Sequence, residues 1–151
     1  MGRVGLACAP ALLVLLLGAC GGSPAGPTAT PAPTPPPATD AVSVGSIVPP
    51  AGTPLQASET VTFTATLNYT LASAESGQIV IAIQDQSDRN LQQLGRPQPA
   101  ALVSRGTGTA TLADSIVVPA SGVTSVRVFF PLIPMGATRT DVVVSVSYPV
   151  R

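Results

Sequence analysis

The chain has 151 residues, two cysteines, no histidine, no tryptophan and a formal net charge of zero. Without histidine it lacks the commonest general base, metal ligand and pH switch, and without a basic excess it has no field to hold phosphates, which excludes nucleic acid as a partner. Charged residues make up only 9% of the chain, against about 25% in ordinary globular domains; Thr, Ser, Val, Gly and Pro take their place, a composition suited to β-structure.

The first segment reads as a leader. Arg3 supplies a positive start, and Val4–Leu17 is an uncharged run of 14 residues rich in leucine. A membrane-spanning helix needs roughly 20 such residues, so the run fits a signal peptide better than a span. It ends in Leu17-Gly18-Ala19-Cys20, which resembles the lipobox of bacterial lipoproteins: a leucine, two small residues and a cysteine. The resemblance implies that residues 1–19 are removed and that Cys20 becomes the first mature residue, its thiol carrying diacylglycerol, with palmitate-type acylation anchoring the protein to the membrane. Cys8 lies inside the apolar run and lacks those flanks. Gly21, where an aspartate would favour retention in an inner membrane, points to the outer membrane or cell surface.

Residues 20–39 are expected to form a tether. Seven prolines fall between Gly21 and Thr39, with no charge and no large apolar group. Such a stretch cannot bury enough surface to offset its ordering entropy and is expected to be disordered, extended and biased toward polyproline II. At ~3.1 Å per residue it reaches about 60 Å.

From residue 40 to 151 the pattern has period two, the mark of half-buried strands. Ala41–Val48 forms a first strand, closed by Pro49-Pro50. In Thr60–Thr70, Val61, Phe63, Ala65, Leu67 and Tyr69 share one face, and threonines with Asn68 share the other. Gln78–Asp85 follows, with Ile79, Ile81 and Ile83 aligned. A polar stretch, Gln86 to Pro99, leads to a short strand at Ala100–Arg105. Gly106–Val118 is expected to contain a bulge, because Leu112 and Val117 are out of phase. Val123–Leu132 aligns Val126, Val128 and Phe130, and Thr140–Val150 aligns Val142, Val144, Val146 and Tyr148. Prolines 49, 50, 119, 131, 134 and 149 are placed at strand ends, and Arg127 and Arg139 as charges that discourage edge pairing.

These segments predict an all-β domain, an antiparallel β-sandwich of about seven strands. The strand count and the opening Val-Pro-Pro-Ala-Gly-Thr-Pro-Leu (48–55) resemble immunoglobulin-like or fibronectin type III-like modules of bacterial surface proteins. A jelly roll or small barrel is the alternative architecture. The domain has no cysteine, so no disulfide staples it and no zinc site of the usual kind is expected.

Candidate chemistry is sparse. Asp85, Asp88 and Asn90 could offer oxygens to a cation, but the spacing lacks the alternate ligands, central glycine and terminal glutamate of a calcium loop, so a solvated loop is expected. No histidine can activate a serine and no nucleophile elbow occurs, so neither enzyme activity nor a cofactor is expected. Phe129 is out of phase with Phe130, which makes it a candidate binding residue on the outer face, although packing under a loop is the favoured expectation. The expected function is a non-catalytic binding or structural module on an envelope lipoprotein. Its partners are the membrane, through lipid on Cys20, and an envelope protein. A small-ligand carrier with a pocket near residues 85–100 is the alternative, and a hydrolase built on two convergent acids such as Asp85 and Asp88 is a third reading.

Overall fold

The computed structural model describes residues 38–93 and 95–151; the leader, the lipobox and residues 20–37 of the tether lie outside them. Six strands account for the regular structure: β1 (Ala41–Val48), β2 (Thr60–Val80), β3 (Ala82–Asp85), β4 (Ala100–Val117), β5 (Ser125–Pro134) and β6 (Val143–Pro149). They pair antiparallel throughout, and no helix occurs among the described residues. Alternation drives this arrangement. In β2, Phe63, Ala65 and Leu67 are fully buried while Thr62 and Thr64 between them are exposed, so one face joins the core and the other meets water.

The seven expected segments become six: β2 and β4 each join two of them through a bend, and a break at Ile81 sets β3 apart. Thr60–Leu71 pairs with Gly106–Val117, and Ser76–Val80 pairs with Ala100–Ser104, with a register shift between Leu71 and Ser76. The two strands therefore turn together, at Ala72–Glu75 in one and near Arg105 in the other. Gly106 has φ +108° here, a conformation that side chains disfavour. Gly77 lies where a Cβ would come within 2.8 Å of the Ile133 carbonyl oxygen, so only glycine lets β2 pass β5 this closely. The irregularity in β4 sits at this bend and not between Leu112 and Val117. From Ala110 the phase is continuous: Leu112, Asp114 and Ile116 are buried and Val117 is exposed.

Pro131 explains a break on the other side of β2. It lies inside β5 and not at a strand end. β5 pairs Ile79 with Leu132 and then Ala82 with Phe129, with no rung between. The Leu132 N–H turns toward Val142 of the β6 side, so the adjacent position, Pro131, faces β2 and β3 and has no hydrogen to donate. β2 and β3 are one line of chain interrupted at that gap. Arg127 also lies in β5, flanked by β3 and β6, so it does not guard an edge; Arg139 is exposed in the β5–β6 turn.

Beyond the bend, the first half of β2 meets β6 through the core. Phe63 meets Tyr148 with ring centroids 5.0 Å apart, although Tyr148 belongs to the row Asp85–Val126–Tyr148 at the far end of the ladder. The Tyr148 hydroxyl donates to the Pro49 carbonyl oxygen at 2.8 Å, and burial pushes its pKa up to about 12. The outer side of β6 is covered by residues 52–57: the Leu55 N–H donates to Pro149 O and the Arg151 N–H to Leu55 O, both at 2.9 Å. The domain thus has a bend end, with residues 38–40, 72–75 and 135–142, and a loop end, with residues 49–59, 86–99 and 118–124.

Candidate functional site

The outward face of β5 gathers the residues of most interest. Every second residue, Arg127, Phe129, Pro131 and Ile133, is half-buried there, while Val126, Val128, Phe130 and Leu132 enter the core. Cross-strand pairing sets their neighbours. Phe129 lies between Ala82 and Ser145, Arg127 between Gln84 and Ser147, and Pro131 faces Val143. Ile133 and Leu102 flank Gln78 from opposite sides. Leu102 is 81% exposed and Val143 47%. The result is an apolar strip in the middle of a sheet face, with a cation at one end.

That cation is placed by the loop end. The Arg127 guanidinium stacks over the Phe129 ring at 5.3 Å and donates to the Asp88 carboxylate, an arrangement in which ring quadrupole and ion pair both hold it. Its Nε is buried without a partner. Asp88 adopts φ +62°, which carries its carboxylate out of the turn toward β5. Phe129 is therefore half-buried on the outer face of β5, and it joins Asp88 through Arg127. The sequence signal for Arg127 was the shared phase of residues two apart in a strand.

The other polar candidates stabilise their own loop. Asp85 is only 2% exposed. Its carboxylate accepts from the Ser87 N–H (2.8 Å), the Arg89 N–H (3.0 Å) and the Arg89 Nε (2.9 Å). Burial opposes its ionisation, but the backbone donors of Arg89 and Ser87, with the Arg89 guanidinium, outweigh it and hold the carboxyl below its ordinary value. Asn90 Oδ1 accepts from the Gln92 N–H at 2.8 Å. Asp85, Asp88 and Asn90 are each engaged by donors of the protein.

Two residues not singled out in the sequence complete the loop. The Gln92 amide acts as a substitute strand beside β3: its Oε1 accepts from the Ile83 N–H at 3.3 Å, and its Nε2 donates to Ile81 O at 3.1 Å and to Asp114 Oδ2 at 2.5 Å. Asp114 also caps the Ser115 N–H at 2.8 Å. An acid in a buried phase of β4 was the available clue, since such groups require partners.

Grooves of about 410 Å³ lie at the bend end, one along Ala41–Ser43, Asn68–Thr70, Thr107 and Gly108, another beside Asp40, Ala72, Ser73 and Val142. Cys20, the proposed lipidation site, is outside the described residues. Compared with known proteins, the chain matches no protein family and no curated protein.

Proposed function

We propose that the chain is an exported lipoprotein of the cell envelope, anchored through lipid on Cys20, whose domain is an immunoglobulin-like β-sandwich that binds a protein partner without catalysis. The lipobox-like Leu17-Gly18-Ala19-Cys20 and the proline-rich tether support export and anchoring. The bend in β2 and β4, with Phe63 against Tyr148, supports two stacked layers.

The observation that carries the binding role is the outward face of β5. Phe129, Pro131, Ile133, Val143 and Leu102 present apolar surface in the centre of a sheet, and Arg127 with Asp88 gives it a polar rim. Interfaces share this plan: aromatic and arginine anchors at an apolar centre, with polar groups around it.

A photo-reactive residue at Ser145, beside Phe129, tests it in living cells, with one at the exposed Thr64 as the control. A discrete cross-linked partner at Ser145, lost in Phe129→Ala, supports the binding face; equal labelling at both positions refutes it. Fractionation of wild type and Cys20→Ser tests the anchor, since only the wild type should remain with membranes.

A further inference from the structure

β4 presents an edge that the rest of the domain leaves open. The Val118 N–H donates to Glu59 O at 2.9 Å. With Thr60 opposite Val117, the even-numbered residues of β4 after the bend turn their N–H and C=O toward β2, and the odd-numbered ones turn theirs outward. Ser115 belongs to the outward set, and its N–H is capped by Asp114. Thr107, Thr109, Thr111 and Ala113 also belong to it; they are exposed, and among the described residues nothing bonds their outward groups. The other outer strands are blunted. β1 carries a bulge between Val44 and Ser46, and residues 52–57 cover β6. Thr107–Ala113 has no charge, no proline and no register shift, which are the usual devices against edge pairing.

We propose that this edge pairs antiparallel with the same edge of a second copy of the chain, joining two domains through one continuous sheet. An edge can meet its own copy in a continuous sheet only antiparallel, about a twofold axis that closes the pair. The composition is self-complementary. Setting Thr109 opposite the second copy's Thr111 places threonine against threonine on both sides of the axis, a favourable cross-strand pair. The chain already uses such pairs internally, with the Thr62 and Ser115 hydroxyls 2.7 Å apart.

Each end of the edge carries an internal ion pair, Glu75 with Arg105 at one end and Asp114 with Arg96 at the other, so neither end presents a net charge that repels its copy. Four outward residues per copy give about eight interchain hydrogen bonds. The contact is narrower than the roughly 1,200 Å² of stable complexes, so the dimer forms reversibly and responds to concentration.

Sedimentation velocity of the full-length protein in detergent, over a wide concentration range, reads this directly. A monomer–dimer equilibrium is expected, weakened about tenfold or more by Thr109→Pro, which deletes an outward N–H, and by Thr111→Lys. Thr64→Lys, on the solvent face of β2, should leave it unchanged. Mixing Thr109→Cys chains with Thr111→Cys chains should give the mixed disulfide faster than either alone, whether or not the proline variant folds. A monomer at every concentration would overturn the proposal, as would a dimer indifferent to Thr109→Pro and Thr111→Lys. Capture of a different protein at this edge without self-association would also overturn it.

Discussion

The bend end and the loop end of the domain solve the same problem with different sequence logic. Each contains backbone groups that the strand ladder leaves unpaired, and buried or half-buried groups of that kind must find partners. At the bend, Asp40 does this from 32 residues away: its carboxylate accepts from the Ala72 N–H (2.7 Å), the Ser73 N–H (2.9 Å) and the Ser73 hydroxyl (2.5 Å). Arg105 adds a bond to the Ala72 carbonyl at 3.1 Å. At the loop end, Asp85 and Asn90 serve their own turn, two to four residues from the groups they hold, and Gln92 reaches nine and eleven residues back to Ile83 and Ile81. The bend in β2 is tied by remote side chains and the Asp85 turn by local ones. Asp40 also directly follows residues 20–39, so the proposed tether would join the domain at the residue that holds the bend.

The comparison can be tested by mutation. The core beneath the loop end is the common support of both, and Phe63→Ala should cost about 3–5 kcal/mol in urea denaturation of the Cys20→Ser chain. A cost below 1 kcal/mol would mean that the Phe63–Tyr148 contact does not join the two halves. Gln92→Ala leaves the Ile83 N–H, the Ile81 carbonyl and the Asp114 carboxylate short of a partner, and about 1–3 kcal/mol is expected. Hydrogen exchange should quicken at Ile83 while Ala72 and Ser73 stay protected. Asp40→Ala should cost less, about 1 kcal/mol, because water can replace part of what it loses. Its exchange signature should be the reverse, with Ala72 and Ser73 opening and Ile83 unaffected. Signals that spread over both ends in either variant would show that the two are one cooperative unit.

The same contrast explains what could be read in the sequence. β1 matches its expected bounds, Ala41–Val48, because alternation, a following Pro-Pro and a short length all agree. Phase alone separates Phe129 from the buried Phe130, but does not show that Arg127 covers its ring. The bend was not legible: Ala72-Ser73-Ala74-Glu75 contains no glycine or proline to mark it, and the side chains that tie it lie 32 and 33 positions from Ala72. The break at Ile81 was hidden for the same reason, since its cause, Pro131, sits in another strand. Asp85, expected in a solvated loop, is buried, because sequence shows an acid's identity but not the donors that fold around it. Gln92 gives no sequence signal, as a glutamine in a polar loop is ordinary until its amide is seen to replace a strand.

The finest distinction between the two ends is acid response. Both Asp40 and Asp85 titrate below the ordinary value of 3.8 in the folded chain. A carboxyl whose folded pKa is depressed contributes stability that is fully present above its unfolded pKa and lost as the pH falls through the folded one. Stability should therefore stay level from neutral pH down to about pH 4 and decline below it. The two carboxyls owe their shifts to different donors. For Asp40 the Ser73 hydroxyl is the largest influence, ahead of the opposing effect of burial and the two backbone bonds. For Asp85 burial is the largest and opposes the shift, and backbone N–H groups overcome it. Ser73→Ala should accordingly flatten the decline below pH 4 by returning Asp40 toward its ordinary value, while the Asp85 contribution persists. Asp85→Asn in the same background should remove most of what remains. Denaturation midpoints at pH 7, 4, 3 and 2.5 decide this. If Ser73→Ala follows the wild-type curve, the hydroxyl does not hold Asp40, and the backbone N–H groups of Ala72 and Ser73 would have to do so, as those of Ser87 and Arg89 do for Asp85.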